Sequence, residues 1–418
     1  MYDQALTQRT LRNTIRRADY VRYPRLRDPK VLAACLRLAD QYLRNFESRL
    51  HTSIRTSEVR GKKVNYISSF PLEIILRKIN TNLRLAFRAK SSNRDTIIAT
   101  LCESLRDSNS YAVYRLDIKS FYESINSSLL NATISANRSL SATTSRLLSA
   151  ISSWHENNGG SGLPRGLSTS ASMSEIYMSS FDATVPDKDS HFFYCRFADD
   201  IVVIHKPEIS SRFALDQIKR ELPEGLSLNR RKSKQHIAPA IPNGSAATAT
   251  LSMEFEYLGY MISAFNPAKA GGEKVRREIK IDIAKEKIKK IKTRVMHSFI
   301  DFSNTRDFKL LSERIRFLTG NYKVHDKNGK FSRVAGIYYS YPLVTVGSSK
   351  SLLELDKFLR SCILSSKGNT LSKTSKLLSN KMRSELLRNS FMKGFTTRSI
   401  RHFSPRLLSK IQECWKYV

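Results

Sequence analysis

Three aspartates carry the chemistry in this sequence. Asp199 and Asp200 stand side by side in FFYCRFADDIVVIH, residues 192–205. Aromatic and branched apolar residues on both sides read as strands, Phe192–Ala198 and Ile201–Ile204. Two carboxylates at the tip of that hairpin repel each other and resist losing water, so positive charge is expected beside them. Asp117 follows a second strand-like run, Tyr111–Leu116, in YAVYRLDIKSFYESI. An Asp-Asp pair alone is an ordinary acidic turn, and a lone Asp ends many strands. Together they form the oxygen set of a hard divalent cation such as Mg2+, which keeps positions free for water and phosphate. Two ions held by carboxylates serve in-line phosphoryl transfer.

The elements around them belong to a chain large enough for two or three domains, at 418 residues. With 40% apolar and 26% charged residues it reads as folded rather than disordered. Lys and Arg outnumber Asp and Glu by 71 to 37, a formal charge of +34. That excess exceeds what solubility needs and points to a polyanion, nucleic acid foremost. No apolar run approaches the roughly 18 residues of a spanning helix, so no membrane is expected. The start, MYDQALTQRTLRNTIRR, lacks the apolar stretch of a secretory signal. Five scattered cysteines without CxxC spacing indicate neither a disulfide framework nor a zinc site, which fits a cytoplasmic location.

Along the chain, residues 1–60 read as a basic, helical N-terminal extension, and 61–115 as a mixed segment with an Arg-rich helical stretch. Strand-like and helical runs alternate between 111 and 262. A boundary falls at the Pro/Gly stretch 266–272, beyond which the pattern reads as almost wholly helical. In EKVRREIKIDIAKEKIKKIKTRV, residues 273–295, Val275, Ile279, Ile283, Ile288, Ile291 and Val295 recur at near-helical spacing among ten basic and four acidic residues. One face of that helix would pack on the domain and the other would present cations to a phosphate backbone.

Five stretches in order resemble the palm motifs of a reverse transcriptase. RLDIKSFYESI (115–125) resembles motif A, GLPRGLSTSASMSEIYMSSFD (162–182) motif B, and FADD (197–200) the aromatic-Ala-Asp-Asp box of motif C. GLSLNRRKS (225–233) resembles motif D, and FEYLGYMI (255–262) the motif E primer grip. The resemblance covers roughly 60–262 and implies an α+β right-hand polymerase. Fingers would span 61–115, and the palm 116–265 with an interleaved fingers segment at about 127–160. A helical thumb and C-terminal region would follow over 266–418.

Carried over residue by residue, the resemblance implies that Asp117, Asp199 and Asp200, with Ile118, hold two Mg2+ ions, for which Mn2+ can substitute. Tyr122 matches the steric gate against a ribose 2′-OH. Gly162 and Gly166 would bring the motif B backbone close to template and incoming base, with Ser170 beside them. Arg165 stands where the family usually has Gln. Lys232 matches the motif D lysine that can protonate the leaving pyrophosphate. Lys90 and Arg94 lie where the fingers would hold the triphosphate. Tyr257, Leu258 and Gly259 form the primer grip.

The long helical extension and SEIYM within motif B resemble the bacterial defence-associated and abortive-infection reverse transcriptases. The NAxxH and VTG signatures of retron enzymes are not found. This implies RNA-directed DNA synthesis in antiphage defence on a noncoding RNA template, with dNTPs as substrate and DNA as product. The chain would act as a homo-oligomer or with a partner defence protein. Template-independent or protein-primed DNA synthesis on the same site is the alternative, and a noncatalytic RNA-binding scaffold a second one. Three intact aspartates speak against the scaffold, since bare carboxylates weaken binding to a polyanion unless metal neutralises them.

Overall fold

Helices open the chain because apolar residues recur at helical spacing behind good caps. They are α1 (Gln8–Arg12), α2 (Arg17–Arg22), α3 (Pro29–Arg44) and α4 (Phe46–Ser53). In α3, Asp28 accepts from the Lys30 N–H and Pro29 occupies the first turn, where its missing N–H costs nothing. A hairpin follows, β1 (Ile54–Val59) and β2 (Lys62–Ile67), paired from Ile54–Ile67 to Val59–Lys62. Helix α5 (Phe70–Ala86) buries Ile74, Ile75, Ile79 and Leu83, and α6 (Arg94–Ser104) comes next. The computed structural model describes residues 2–59, 61–89, 93–186, 191–206, 211–242, 248–268, 275–325, 332–365 and 369–415.

The central sheet is built from β3 (Tyr111–Asp117), β4 (His191–Phe197), β5 (Asp200–His205) and β6 (Lys234–Ala238). Between β3 and β4 lie α7 (Phe121–Ser124), α8 (Ser127–Ala136), α9 (Ala142–Asn157), α10 (Ser168–Tyr177) and α11 (Ser179–Thr184). Helix α12 (Ser211–Glu221) precedes β6. The strands run β4-β5-β3-β6, antiparallel throughout. Alternation puts Ala112, Tyr114, Leu116 and Ile118 in one apolar core with Ile201 and Val203. The two strands predicted around the Asp pair, and the one before Asp117, are where the sequence places them.

The chain divides into two compact units, Met1–Ile97 with Ser110–Ala240, and Ile98–Asn109 with Ile241–Val418. The second holds an antiparallel sheet, β7 (Thr250–Tyr257), β8 (Tyr260–Asn266) and β9 (Glu278–Ile283). After α13 (Lys285–Thr305) and α14 (Phe308–Thr319), a small sheet joins β10 (Asn321–His325) to β11 (Ser332–Gly336). Helices α15 (Lys350–Leu364), α16 (Asn369–Lys376), α17 (Asn380–Leu387) and α18 (Phe391–Thr397) follow. The chain ends with β12 (Ile400–Arg401), parallel to β10, and α19 (Pro405–Glu413).

One expectation changes here. The basic stretch 273–295 is not one helix: Glu278–Ile283 form β9, and the helix begins at Lys285. Ile279, Ile281 and Ile283 also fit a two-residue period, and pairing with Tyr260–Phe265 supplies the backbone partners that decide it. The stretch 266–272 lies between the paired strands β8 and β9. Part of that stretch, 269–272, lies outside the described residues. Helix α13 keeps the expected two-faced character, with Ile288, Val295, Phe299 and Phe302 buried and Lys285, Lys287 and Lys289 exposed. The architecture is α+β, and among the described residues no helix is long and apolar enough to cross a membrane.

Candidate active site

Asp117 and Asp200 face each other as cross-strand partners of β3 and β5, so their side chains leave the sheet on the same side. The Ile118 N–H bonds the Asp199 carbonyl at 3.1 Å, tying the end of β3 to the hairpin turn. Phe197 pairs with Asp200, leaving Ala198 and Asp199 as a two-residue loop, and Ala198 has φ +55°. Positive φ at the first loop residue is what a tight hairpin twisted like its strands requires. Like charges placed opposite one another repel, and the electrostatics record it. Burial first, then the neighbouring Asp199 charge, pushes the Asp200 carboxyl up to about 6, with Asp117 adding to the rise. Arg115 and Lys232 oppose the shift, and Arg115 Nη2 lies 3.9 Å from Asp200 Oδ1.

The motif D loop folds onto Asp117. The Asn229 N–H donates to the Asp117 carbonyl (2.7 Å), and its Nδ2 donates to Asp117 Oδ2 (3.1 Å). The Asn229 carbonyl accepts from the N–H groups of Lys232 and Ser233 (3.1 and 2.9 Å), turning the chain so that Lys232 Nζ reaches Asp117 Oδ1 at 3.2 Å. Asn229 was not among the residues expected from the sequence, because an Asn in a polar loop carries no distinguishing pattern.

Beneath the hairpin lies a buried cation. The Arg196 side chain is 4% exposed. Its Nη2 donates to Glu175 Oε2 and Asp182 Oδ2 (both 2.6 Å), its Nε to Asp182 Oδ1 (2.8 Å), and its Nη1 to the Ala198 carbonyl (3.0 Å). Tyr194 Oη also donates to Asp182 Oδ1, at 2.5 Å. Burial alone would lower the Arg196 pKa, but the bonds to Asp182 and Glu175 outweigh it and raise it. The guanidinium therefore stays charged and fastens the turn to α10 and α11.

A cleft of about 260 Å³ adjoins the hairpin, lined by Asn80, Arg84, Tyr122, Ser172, Glu175 and Ala198 among others. Tyr122 is the residue expected there. Arg84 was missed, since in so basic a chain nothing marks one arginine of α5. Arg165 sits above the Tyr122 ring, 5.0 Å from its centroid, and is bonded through two nitrogens to Glu123 (2.5 and 2.9 Å).

Gly166, at φ +96°, lies so close to β2 that a Cβ would meet the Asn65 carbonyl at 2.0 Å. A Cβ on Gly162 would meet the Tyr122 carbonyl at 2.2 Å. The close approaches of these glycines are thus to the protein's own backbone. Ser170 is buried, and its hydroxyl donates to the Pro164 carbonyl (2.6 Å), so it shapes the motif B loop.

Arg94 opens α6 with its guanidinium on Asp95 (Nε 3.3 Å, Nη2 3.2 Å). Lys90 lies outside the described residues. In the second unit, Tyr257 and Tyr260 pair across a two-residue turn, and both turn residues, Leu258 (φ +46°) and Gly259 (φ +86°), are left-handed. Tyr257 is buried, and the Gly259 carbonyl accepts from Ala284 at 3.1 Å.

The family model described as reverse transcriptase (RNA-dependent DNA polymerase) matches residues 47–262, just over half of the chain. The chain belongs to the reverse transcriptase family. Its RNA-directed DNA polymerase fold is accordingly α+β, with the antiparallel sheet carrying all three aspartates. No curated protein sequence matches. Among solved structures, the chain is similar to the apo telomerase of Candida tropicalis, with 11% identity and TM-score 0.38, over 87% of this chain and 64% of that one. It is also similar to the Candida albicans telomerase in complex with a TWJ fragment of telomeric RNA, with 12% identity and TM-score 0.30, over 82% and 54%. The reverse transcriptase thus spans less than two thirds of either. The family assignment rests on the match of the family model over residues 47–262.

The family implies divalent cations. Among the described residues no three His, Cys, Asp or Glu side chains are drawn together as a metal-holding group. The donor chemistry nevertheless fits hard cations: the three carboxylates offer only oxygen ligands, and an ammonium, Lys232, already rests on Asp117 where positive charge is wanted.

Proposed function

We propose that this reverse transcriptase is an RNA-directed DNA polymerase of a bacterial antiphage defence system. The observation that supports the polymerase reading best is the pairing of Asp117 with Asp200 beside the Asp199 turn. Asp117, Asp199, Asp200 and Ile118 would hold two Mg2+ ions, or Mn2+ in their place. When bound, these ions supply Lewis-acid stabilisation of charge on the transferring phosphoryl group.

The chain's own residues do the rest. The primer 3′-hydroxyl loses its proton to solvent as its oxygen bonds the α-phosphorus of a dNTP and the bond to pyrophosphate breaks. Lys232, held beside Asp117, gives a proton to the departing pyrophosphate. Tyr122 fills the space a 2′-OH would need, and Lys90 and Arg94 receive the triphosphate. Tyr257, Leu258 and Gly259 support the primer end.

The defence assignment, and a noncoding RNA as template, follow from the resemblance of motif B and of the long region after motif E. One observation favours a second reading, synthesis without a template. Arg165, at the position where the family has Gln, is committed to Glu123 instead of being free for a template base.

Extension of a primer on a defined RNA, with dNTPs and Mg2+ and with the product sequenced, tests both. DNA complementary to the RNA is the expected result. Product that ignores the RNA overturns the templated reading in favour of the second one. No incorporation on any primer overturns the polymerase reading.

A further inference from the structure

The steric gate proposed above is only as selective as its ring is still. An aromatic side chain free to change rotamer would yield to a 2′-OH, and ordering it costs conformational freedom that something must supply. Three contacts hold Tyr122. Its backbone is fixed by motif B, where the Leu163 N–H donates to the Tyr122 carbonyl at 2.8 Å and Gly162 packs against the same oxygen. The Phe121 ring stands edge-on to the Tyr122 ring, with centroids 5.4 Å apart. The ring face is covered by the Arg165 guanidinium at 5.0 Å.

We propose that Arg165 and Glu123 form a brace that fixes the Tyr122 ring and thereby sets how strongly this enzyme rejects ribonucleotides. The inference rests on reading Tyr122 as the gate, and adds to it the pair that positions the gate. The brace is a closed loop of contacts: Tyr122 and Glu123 are chain neighbours, Glu123 grips Arg165 at both nitrogens, and Arg165 returns over the ring. A planar guanidinium can satisfy a carboxylate fork and lie on an aromatic face at once, which neither Lys nor Gln can do.

The electrostatics agree with the geometry. Burial would raise the Glu123 carboxyl, but the hydrogen bond from Arg165, helped by the charges of Arg165 and Lys62, brings it below its usual range. Lys62 Nζ lies 3.9 Å from Glu123 Oε2, and the Arg165 carbonyl accepts from the Asn65 N–H at 2.7 Å. The brace is therefore anchored on the β1–β2 hairpin from two directions. Arg165 and Glu123 are positioning residues, acting on the nucleotide through Tyr122.

The test is single-nucleotide incorporation by the full chain, with kcat/KM measured separately for dNTP and for the matching rNTP. Arg165→Gln and Glu123→Gln should each lower the dNTP-to-rNTP ratio, by about tenfold if the cation–ring contact is worth what such contacts usually are. Arg165→Lys, which keeps the charge without the fork, should fall between. A merely structural role would lower both rates together and leave the ratio alone, and that result in both Gln variants overturns the brace.

Tyr122→Ala separates the brace from the reading beneath it. If this variant loses discrimination while the Gln variants keep it, only the brace falls. If Tyr122→Ala also keeps the wild-type ratio, the gate itself falls and the brace with it.

Discussion

Arg196 Nη1 donates a 3.0 Å hydrogen bond to the carbonyl of Ala198, so a buried cation holds the turn from which Asp199 projects. The positive charge expected beside the two carboxylates is supplied by Arg115 and Lys232, while Arg196 spends its charge on Glu175 and Asp182 and holds only the backbone of the turn. Arg196→Met should strand Asp182 and Glu175 without their cation and release the turn. We expect a loss of about 3 kcal/mol in urea unfolding, the scale for breaking a buried ion pair, together with loss of nucleotide incorporation. Arg196→Lys keeps the charge but not the fork and should recover part of the stability.

Lys232 rests on Asp117 at 3.2 Å and competes there with any other cation. Lys232→Gln should lower the Mg2+ concentration needed for half-maximal activity, because a competing charge is gone. It should also lower kcat by about 100-fold, if the ammonium is the proton donor. Titrating Mg2+ in the incorporation assay reads both effects.

Asp200 makes the metal-free protein pH-sensitive. Its carboxyl lies near 6 in the folded chain, against an ordinary value of 3.8, chiefly through burial and the Asp199 charge. The folded state then binds more protons than the unfolded one between these values, so stability falls as pH rises from about 4 to about 6. With chelator present, the cost at neutral pH should be on the order of 1 to 2 kcal/mol after solvent screening. Asp200→Asn should abolish this dependence and stabilise the metal-free protein at pH 7, as measured by thermal unfolding across pH.

Gly166 takes φ +96° with its α-carbon against the Asn65 carbonyl. Gly166→Ala must push the β1–β2 hairpin away and should cost about 1–3 kcal/mol in chemical unfolding, the scale of overpacking. Gly159 has a similar φ of +68° but nothing within 4 Å of a Cβ. Gly159→Ala should therefore cost less, which separates the clash from backbone strain.

What the sequence made legible follows from which forces are local. The strands around Asp117 and the Asp199–Asp200 turn could be read because strand alternation and a two-residue turn leave marks within a few positions. Arg196 could not be placed, because its partners Glu175 and Asp182 lie 21 and 14 residues upstream on helices, and nothing local tells a buried arginine from an exposed one. The β9 strand was read as helix because Val275, Ile279 and Ile283 fit both periods, and only the neighbouring strand decides between them. Arg165, by its place in motif B, reads as a substrate-binding residue. The structure gives it Glu123 and the face of Tyr122, a pairing between segments 42 residues apart.

If Asp117, Asp199 and Asp200 form one polymerising site, as proposed, replacing Asp199 and Asp200 together by Asn must silence it. Asn keeps the shape of the turn and removes two negative charges, so the fold and the affinity for RNA should survive. Incorporation of dNTPs on an RNA template should disappear in Mg2+ while RNA binding stays at least as tight as in the parent chain. Incorporation at the parental rate by a folded double variant would contradict it.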